Sequence, residues 1–439
     1  MEQDMICPRY RIQNHSELRQ IQNRLLHRSE PDPGLKQQVQ DILDQVRDNG
    51  DSALVDYSRR FDCPGYQAEH INVSSDHLSA ALDFVPGQDL ELIQECIANI
   101  RDFHSNQKEN SWISLEDKGL LLGQLVRPVR RAGLYVPGGT AGKTPLISSL
   151  IMGVVPAQVA GVQDIVVCTP PDRNGSLNPY TLATAHLLGL PQVYALGSAW
   201  AVAAMAYGTS SVPRVDVLAG PGNTYVTMAK KLLMGEVGLD MLAGPSEILI
   251  LADSQARPEW LAADMISQAE HDPWAAALLI TNDPQLLERT EQALQSQLQS
   301  LPRQEAASQS LSDWGGLIQV QNLEQGLELV NMLAPEHLEL CLQDPWSWLY
   351  RVQNAGAIFL GPMTPEPLGD YFAGPNHTLP TMGNARFASA LSVQTFYKKS
   401  SIISSSREYM EQHATKVSRM ARLEGLEGHA RSVDIRFNN

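Results

Sequence analysis

The sequence predicts an α/β protein organised around largely parallel sheets, and three observations carry that prediction. From about Gly119 onward, short apolar runs alternate with longer amphipathic segments, the pattern of strands joined by helical crossovers. Before that point, apolar residues keep helical spacing instead. At 439 residues the chain exceeds one ordinary core, so two or three domains are expected.

Taken in order, Met1 to Leu26 is polar and charged throughout, and no apolar run in the chain reaches the ~20 residues that cross a bilayer. Neither a signal peptide nor a membrane span is read. Leu35, Val39, Ile42, Leu43 and Val46 recur at three and four, predicting a helix over Leu35–Asp48. Strand-like runs follow at Leu120–Val126, Asp164–Cys168, Val193–Leu196, Val215–Ala219, Ile248–Ala252, Ala276–Ile280 and Gly356–Leu360. Two nearly identical turns, Ala219-Gly-Pro-Gly-Asn223 and Ala243-Gly-Pro-Ser-Glu247, read as strand-ending turns. Glycine there lets backbone approach a ligand and proline stiffens the turn. Ligands of open α/β sheets gather at carboxyl ends of strands, which favours binding over two plain connections. Past Ala388 the chain turns polar and helical, a separate C-terminal piece.

Hydrophobic residues at 43% and charged residues at 19% are an ordinary globular balance. The net charge of -16, from 49 acidic and 33 basic residues, repels nucleic acid and anionic membranes. Five scattered cysteines with no C-x-x-C pair argue against disulfides or a cysteine zinc cluster and fit a reducing cytoplasm.

Three constellations carry chemistry. In Trp260 to Pro273 the spacing reads as helix closed by Pro273, with Gln268 and His271 three apart on one face, the start of a metal site that needs partners from elsewhere. Asp370 and His429 would complete a Gln/His/Asp/His set whose nitrogen and oxygen donors suit zinc ahead of manganese or iron. The alternative for His429 is a solvated histidine of a terminal helix. Glu336 and His337, adjacent at a proline break before an apolar run, place two proton-transfer groups at one element's entrance. Pro137 to Thr144 approximates a phosphate-binding loop, but Pro137 replaces its first glycine, and the dinucleotide fingerprint G-x-G-x-x-G is absent.

These segments, in their order, resemble the histidinol dehydrogenase family from about Leu35 to Val433. The resemblance is carried by Gly133 to Gly139, Ala219 to Asn223, Ala243 to Glu247, Ser267 to Asp272, Ala334 to Glu339, Gly369-Asp370-Tyr371, Gly374 to Pro380, and Glu424 with His429. It implies zinc ligands at Gln268, His271, Asp370 and His429, and a proton-transfer pair at Glu336 and His337. Substrate would also meet Ser246, His377 and Glu424, and NAD would meet Tyr135 and Asn223. The implied reaction is oxidation of L-histidinol through the aldehyde to L-histidine by two hydride transfers, in the cytoplasm. Alternatives are a paralogue oxidising another polar alcohol, such as a sulfonated diol, and a catalytically silent zinc-binding scaffold.

The family's fold implies two incomplete Rossmann-like, doubly wound domains in an intertwined homodimer. One would combine 31–134 with 246–391 and the other span 135–245, with helical segments at 1–30 and 392–439 embracing the partner and His429 crossing to its zinc. Two departures stand out. Trp200 replaces a glutamine that touches NAD, and either stacks on the cofactor or packs under the loop. That loop, after Gly139, is about three residues longer than in many members.

Overall fold

The computed structural model describes residues 6–26, 28, 33–116, 119–139 and 144–437. Residues 140–143, in the longer loop after Gly139, lie outside them. In chain order the strands are β1 (Arg9–Arg11), β2 (Asn72–Ser74), β3 (Trp112–Leu115), β4 (Leu120–Pro128), β5 (Arg131–Tyr135), β6 (Asp164–Cys168), β7 (Gln192–Tyr194) and β8 (Val217–Ala219). They continue with β9 (Gly238–Leu239), β10 (Glu247–Ala252), β11 (Ala276–Thr281), β12 (Gly316–Gln319), β13 (His337–Cys341), β14 (Ala357–Leu360) and β15 (Tyr397–Ser405). The chain divides into two units, Met1–Gln107 with Arg130–Phe396, and Lys108–Val129 with Tyr397–Asn439.

The first unit holds two six-stranded sheets, β1-β12-β11-β10-β13-β14 and β2-β7-β6-β5-β8-β9. Every pairing is parallel except that of β2 with β7. In each sheet the winding starts at a central strand, β10 or β5, runs outward one way, then reverses beside it. Such a reversal opens a crevice between diverging connections. Both faces of the first sheet are covered, as its uninterrupted apolar runs require. Along β10, Ile248, Ile250 and Ala252 enter one core with Leu261 and Met265 of the Pro258–Ala269 helix. Leu249 and Leu251 enter the other, with Leu327 and Val330 of the Leu323–Leu333 helix.

Local expectations hold where spacing was strong. The first predicted helix forms over Leu35–Asn49 and buries Leu35, Val39, Ile42, Leu43 and Val46. Leu35, Leu54 and Ile71 share a core with Tyr135, Val166 and Val226, and β2 extends the β5 sheet, within the unit that also holds 246–391. Three expectations change. The N-terminal segment is not only helical, because β1 adds an edge strand beside β12 and the His15–Leu26 helix buries Leu18 and Ile21 against the same sheet. The C-terminal segment opens with nine-residue β15, antiparallel to β4. Finally, the Ala243–Glu247 turn precedes β10 and so lies at the amino end of its sheet, whereas Ala219–Asn223 follows β8 as expected.

The second unit is the antiparallel sheet β15-β4-β3 with two helices, Arg407–Leu423 and Glu427–Asp434. The helices are tied by the Ser418 hydroxyl donating to Asp434 at 2.5 Å and by Arg422 bridging Glu427 and Asp434.

Candidate active site

Glu336 and His337 are both buried at the amino end of β13, where the register sets His337 beside Ile248 of β10. One peptide group holds each of them. The Glu247 N–H donates to Oε2 of Glu336 at 2.8 Å, and the Glu247 carbonyl lies 3.0 Å from Nδ1 of His337. A carbonyl only accepts, so Nδ1 carries the proton and Nε2 keeps a lone pair. Gly356 makes room for this arrangement, because a Cβ there would stand 2.6 Å from the Glu336 carbonyl oxygen.

Nε2 of His337 is buried without a hydrogen-bond partner, 3.7 Å from Oε1 of Glu366 and 3.8 Å from Oδ1 of Asp370. Burial holds the imidazole below its ordinary pKa, and Asp370 only partly opposes that. The ring is therefore a neutral base at neutral pH. Glu336 is pushed up, first by burial and then by the negative neighbours Glu247, Asp370 and Glu366. A cation bound among these acids reverses that field.

Among the described residues, Oε1 of Gln268, Oε1 of Glu366 and Nε2 of His377 are likewise buried without hydrogen-bond partners. Gln268 sits in the last turn of the Pro258–Ala269 helix. His271 lies two residues past that helix, exposed in the following turn rather than on the expected helical face, and interacts electrostatically with both His337 and His377. Asp370 is carried by the Glu366–Tyr371 helix. Among the described residues, His337, Glu366 and Asp370 form the group whose ligand atoms all lie within 4.8 Å of one another. Glu366 is pushed up to about 9 by burial first and Asp370 second. Orphaned imidazole and carboxylate atoms of His337, His377 and Glu366 with Asp370 fit a divalent cation of zinc type.

Of the other expected residues, Ser246 is half-buried, its carbonyl accepting from Ala276 at 3.0 Å. Buried Tyr135 ends β5, and its hydroxyl accepts the Ser198 N–H at 3.0 Å. Gly220, at φ +113°, lets the turn after β8 press on that residue: a Cβ would meet the Tyr135 carbonyl at 2.1 Å. Exposed Asn223 caps the next helix through Val226. Trp200 is 4% exposed and stacks with Tyr57 and Phe61 at 5.7 and 5.6 Å between ring centres, with its indole N–H on Ser58. That contact set is packing against the Asp51–Phe61 helix, while the expected packing under the loop after Gly139 falls on residues 140–143, outside the described residues. Glu424 and His429 belong to the second unit, both exposed, at the end of one helix and on the next.

Sequence reasoning missed Glu247 and Glu366. Glu366 lies four residues before Asp370, one helical turn, which was a readable signal. Glu247 acts through its backbone, which leaves no compositional trace.

The family model described as histidinol dehydrogenase matches residues 26–437. A histidinol dehydrogenase of Oleidesulfovibrio alaskensis is 53% identical over 434 residues, covering 99% of this chain and 100% of that protein. Another, from Nitratidesulfovibrio vulgaris, is 52% identical over 98% of this chain and 99% of its own length. The crystal structure of histidinol dehydrogenase from Elizabethkingia anophelis superimposes with a TM-score of 0.93 at 36% identity, covering 99% of both chains. No helix among the described residues is long and apolar enough to cross a membrane.

Proposed function

The chain belongs to the histidinol dehydrogenase family, and from that premise we propose that it oxidises L-histidinol through L-histidinaldehyde to L-histidine, closing histidine biosynthesis. The observation that carries this reading is His337: a buried neutral imidazole with Nδ1 fixed on Glu247 and Nε2 free.

Each step has a residue fitted to it. A primary alcohol gives up hydride only once its hydroxyl proton is being taken, and Nε2 of His337 accepts that proton. The aldehyde must then be hydrated before a second hydride can leave. Glu336, held by the Glu247 N–H, orients and deprotonates that water. Gln268, His271 and Asp370, with the partner subunit's His429, would hold zinc. When bound, zinc would hold the amine and imidazole of the substrate, and two successive NAD molecules would each accept one hydride. Orientation of this kind is worth several orders of magnitude in rate. Ser246, His377 and the partner subunit's Glu424 complete the substrate contacts, and Tyr135 and Asn223 are the NAD contacts.

The two parallel sheets serve as incomplete Rossmann-like halves, and a homodimer supplies the shared residues. Exposed Trp112, Ile113 and Leu115 of β3 and Ile403 of β15 offer apolar surface for a second copy. The test is NADH production by purified protein given histidinol against simple polyols. Turnover of polyols without turnover of histidinol would overturn the assignment.

A further inference from the structure

Arg28, two residues past the His15–Leu26 helix, is fully buried. Its Nη2 donates to the Pro245 carbonyl at 2.9 Å and to Oε2 of Glu247 at 3.0 Å, and also touches Sδ of Met382 at 3.4 Å. Nε and Nη1 have no hydrogen-bond partner among the described residues. A buried guanidinium left half unsatisfied is a poor source of stability, since desolvation consumes most of what the ion pair returns. Its contacts do have one notable property. Pro245 and Glu247 are the two chain neighbours of Ser246, and the Glu247 peptide groups are those that hold Glu336 and His337.

We propose that Arg28 and Glu247 form a positioning pair that fixes, through residues 245–247, the placement of Ser246, Glu336 and His337 together. The pair touches no reacting atom. It sets where the Glu247 N–H and carbonyl stand, and through them the direction of one carboxylate and the tautomer of one imidazole. The Gly244 N–H donating to the Thr381 hydroxyl at 2.6 Å anchors the other end of the same turn. The proposal rests on the catalytic assignment of Glu336 and His337, and its test has one arm that needs no turnover.

The full-length enzyme is compared with Arg28→Gln, Arg28→Lys, Glu247→Gln and the Arg28→Gln/Glu247→Gln double variant. Displacement of catalytic groups by about 1 Å costs roughly a hundredfold, so Arg28→Gln should lose about 10- to 100-fold in kcat with KM for NAD unchanged. Arg28→Lys should recover part of that loss. The double variant should be no worse than the worse single one, because both act through one contact. In enzyme carrying ¹⁵N-histidine, the imidazole Nδ1 proton of His337, assigned by its absence in His337→Asn, should be protected in wild type and exchange faster in Arg28→Gln. Wild-type kcat and an unchanged His337 signal in folded Arg28→Gln, or additive losses in the double variant, would overturn the pairing. If Arg28→Gln does not fold, Glu247→Gln decides by the same two readouts. If wild type itself makes no NADH from histidinol while the His337 signal still depends on Arg28, the positioning stands and the functional reading fails.

Discussion

The carbonyl of Glu247 lies 3.0 Å from Nδ1 of His337, which makes Nε2 the base. Asparagine at 337 can still donate to that carbonyl from its amide but has no basic lone pair. His337→Asn should therefore fold, keep its metal content and lose about 10²- to 10⁴-fold in kcat, the usual span for a general base. Retention of wild-type kcat by His337→Asn would remove the proton-transfer role.

Glu336→Gln separates the two oxidations. Glutamine keeps size and still accepts the Glu247 N–H, but it cannot take a proton from water. Conversion of histidinol to histidine should fall more than the isolated reduction of histidinaldehyde to histidinol. Equal losses in both assays would contradict the water-activating role.

How much of this could be read without coordinates depends on the range of the cause. The helix over Leu35–Asn49 and the strands β10 and β11 are set by local periodicity, and they appear where Leu35, Ile248 and Ala276 announced them. Adjacent Glu336 and His337 pointed to acid–base chemistry at a strand entrance. The rest is register. Glu247 meets both side chains only because β10 and β13, about 90 residues apart, pair with Ile248 beside His337. The same distance hides which sheet the segment from Leu35 to Ile71 packs against. Its apolar faces say only that it is buried. His271 was expected on a helix that stops at Ala269, since the turn ahead of Pro273 begins earlier than proline alone requires.

Asp62 offers a test of pH dependence. Burial raises its carboxyl from 3.8 to about 7, and Oδ2 has no partner. The folded state thus binds this proton more tightly than the unfolded state does, so stability falls as pH rises from about 4 to about 7 and stays lowered above. Asp62→Asn should melt higher than wild type at pH 8, with the gap shrinking toward pH 5. A gap independent of pH would exclude the buried carboxylate as its source.

Trp200 is predicted to matter for stability first. Removing a buried tryptophan stacked with Tyr57 and Phe61 should cost about 3–5 kcal/mol in denaturant unfolding of Trp200→Ala. Trp200→Phe should lose less and bind NAD with an unchanged dissociation constant. A weakened NAD constant in fully folded Trp200→Phe would restore the cofactor-stacking role.

The most direct measurement is the count of NADH produced from a limiting, known amount of L-histidinol in excess NAD. A base at His337 and a water activator at Glu336 beside the same substrate predict two NADH per histidinol, with L-histidine as the product. One NADH per histidinol, with free aldehyde accumulating, would contradict a single site that performs both oxidations.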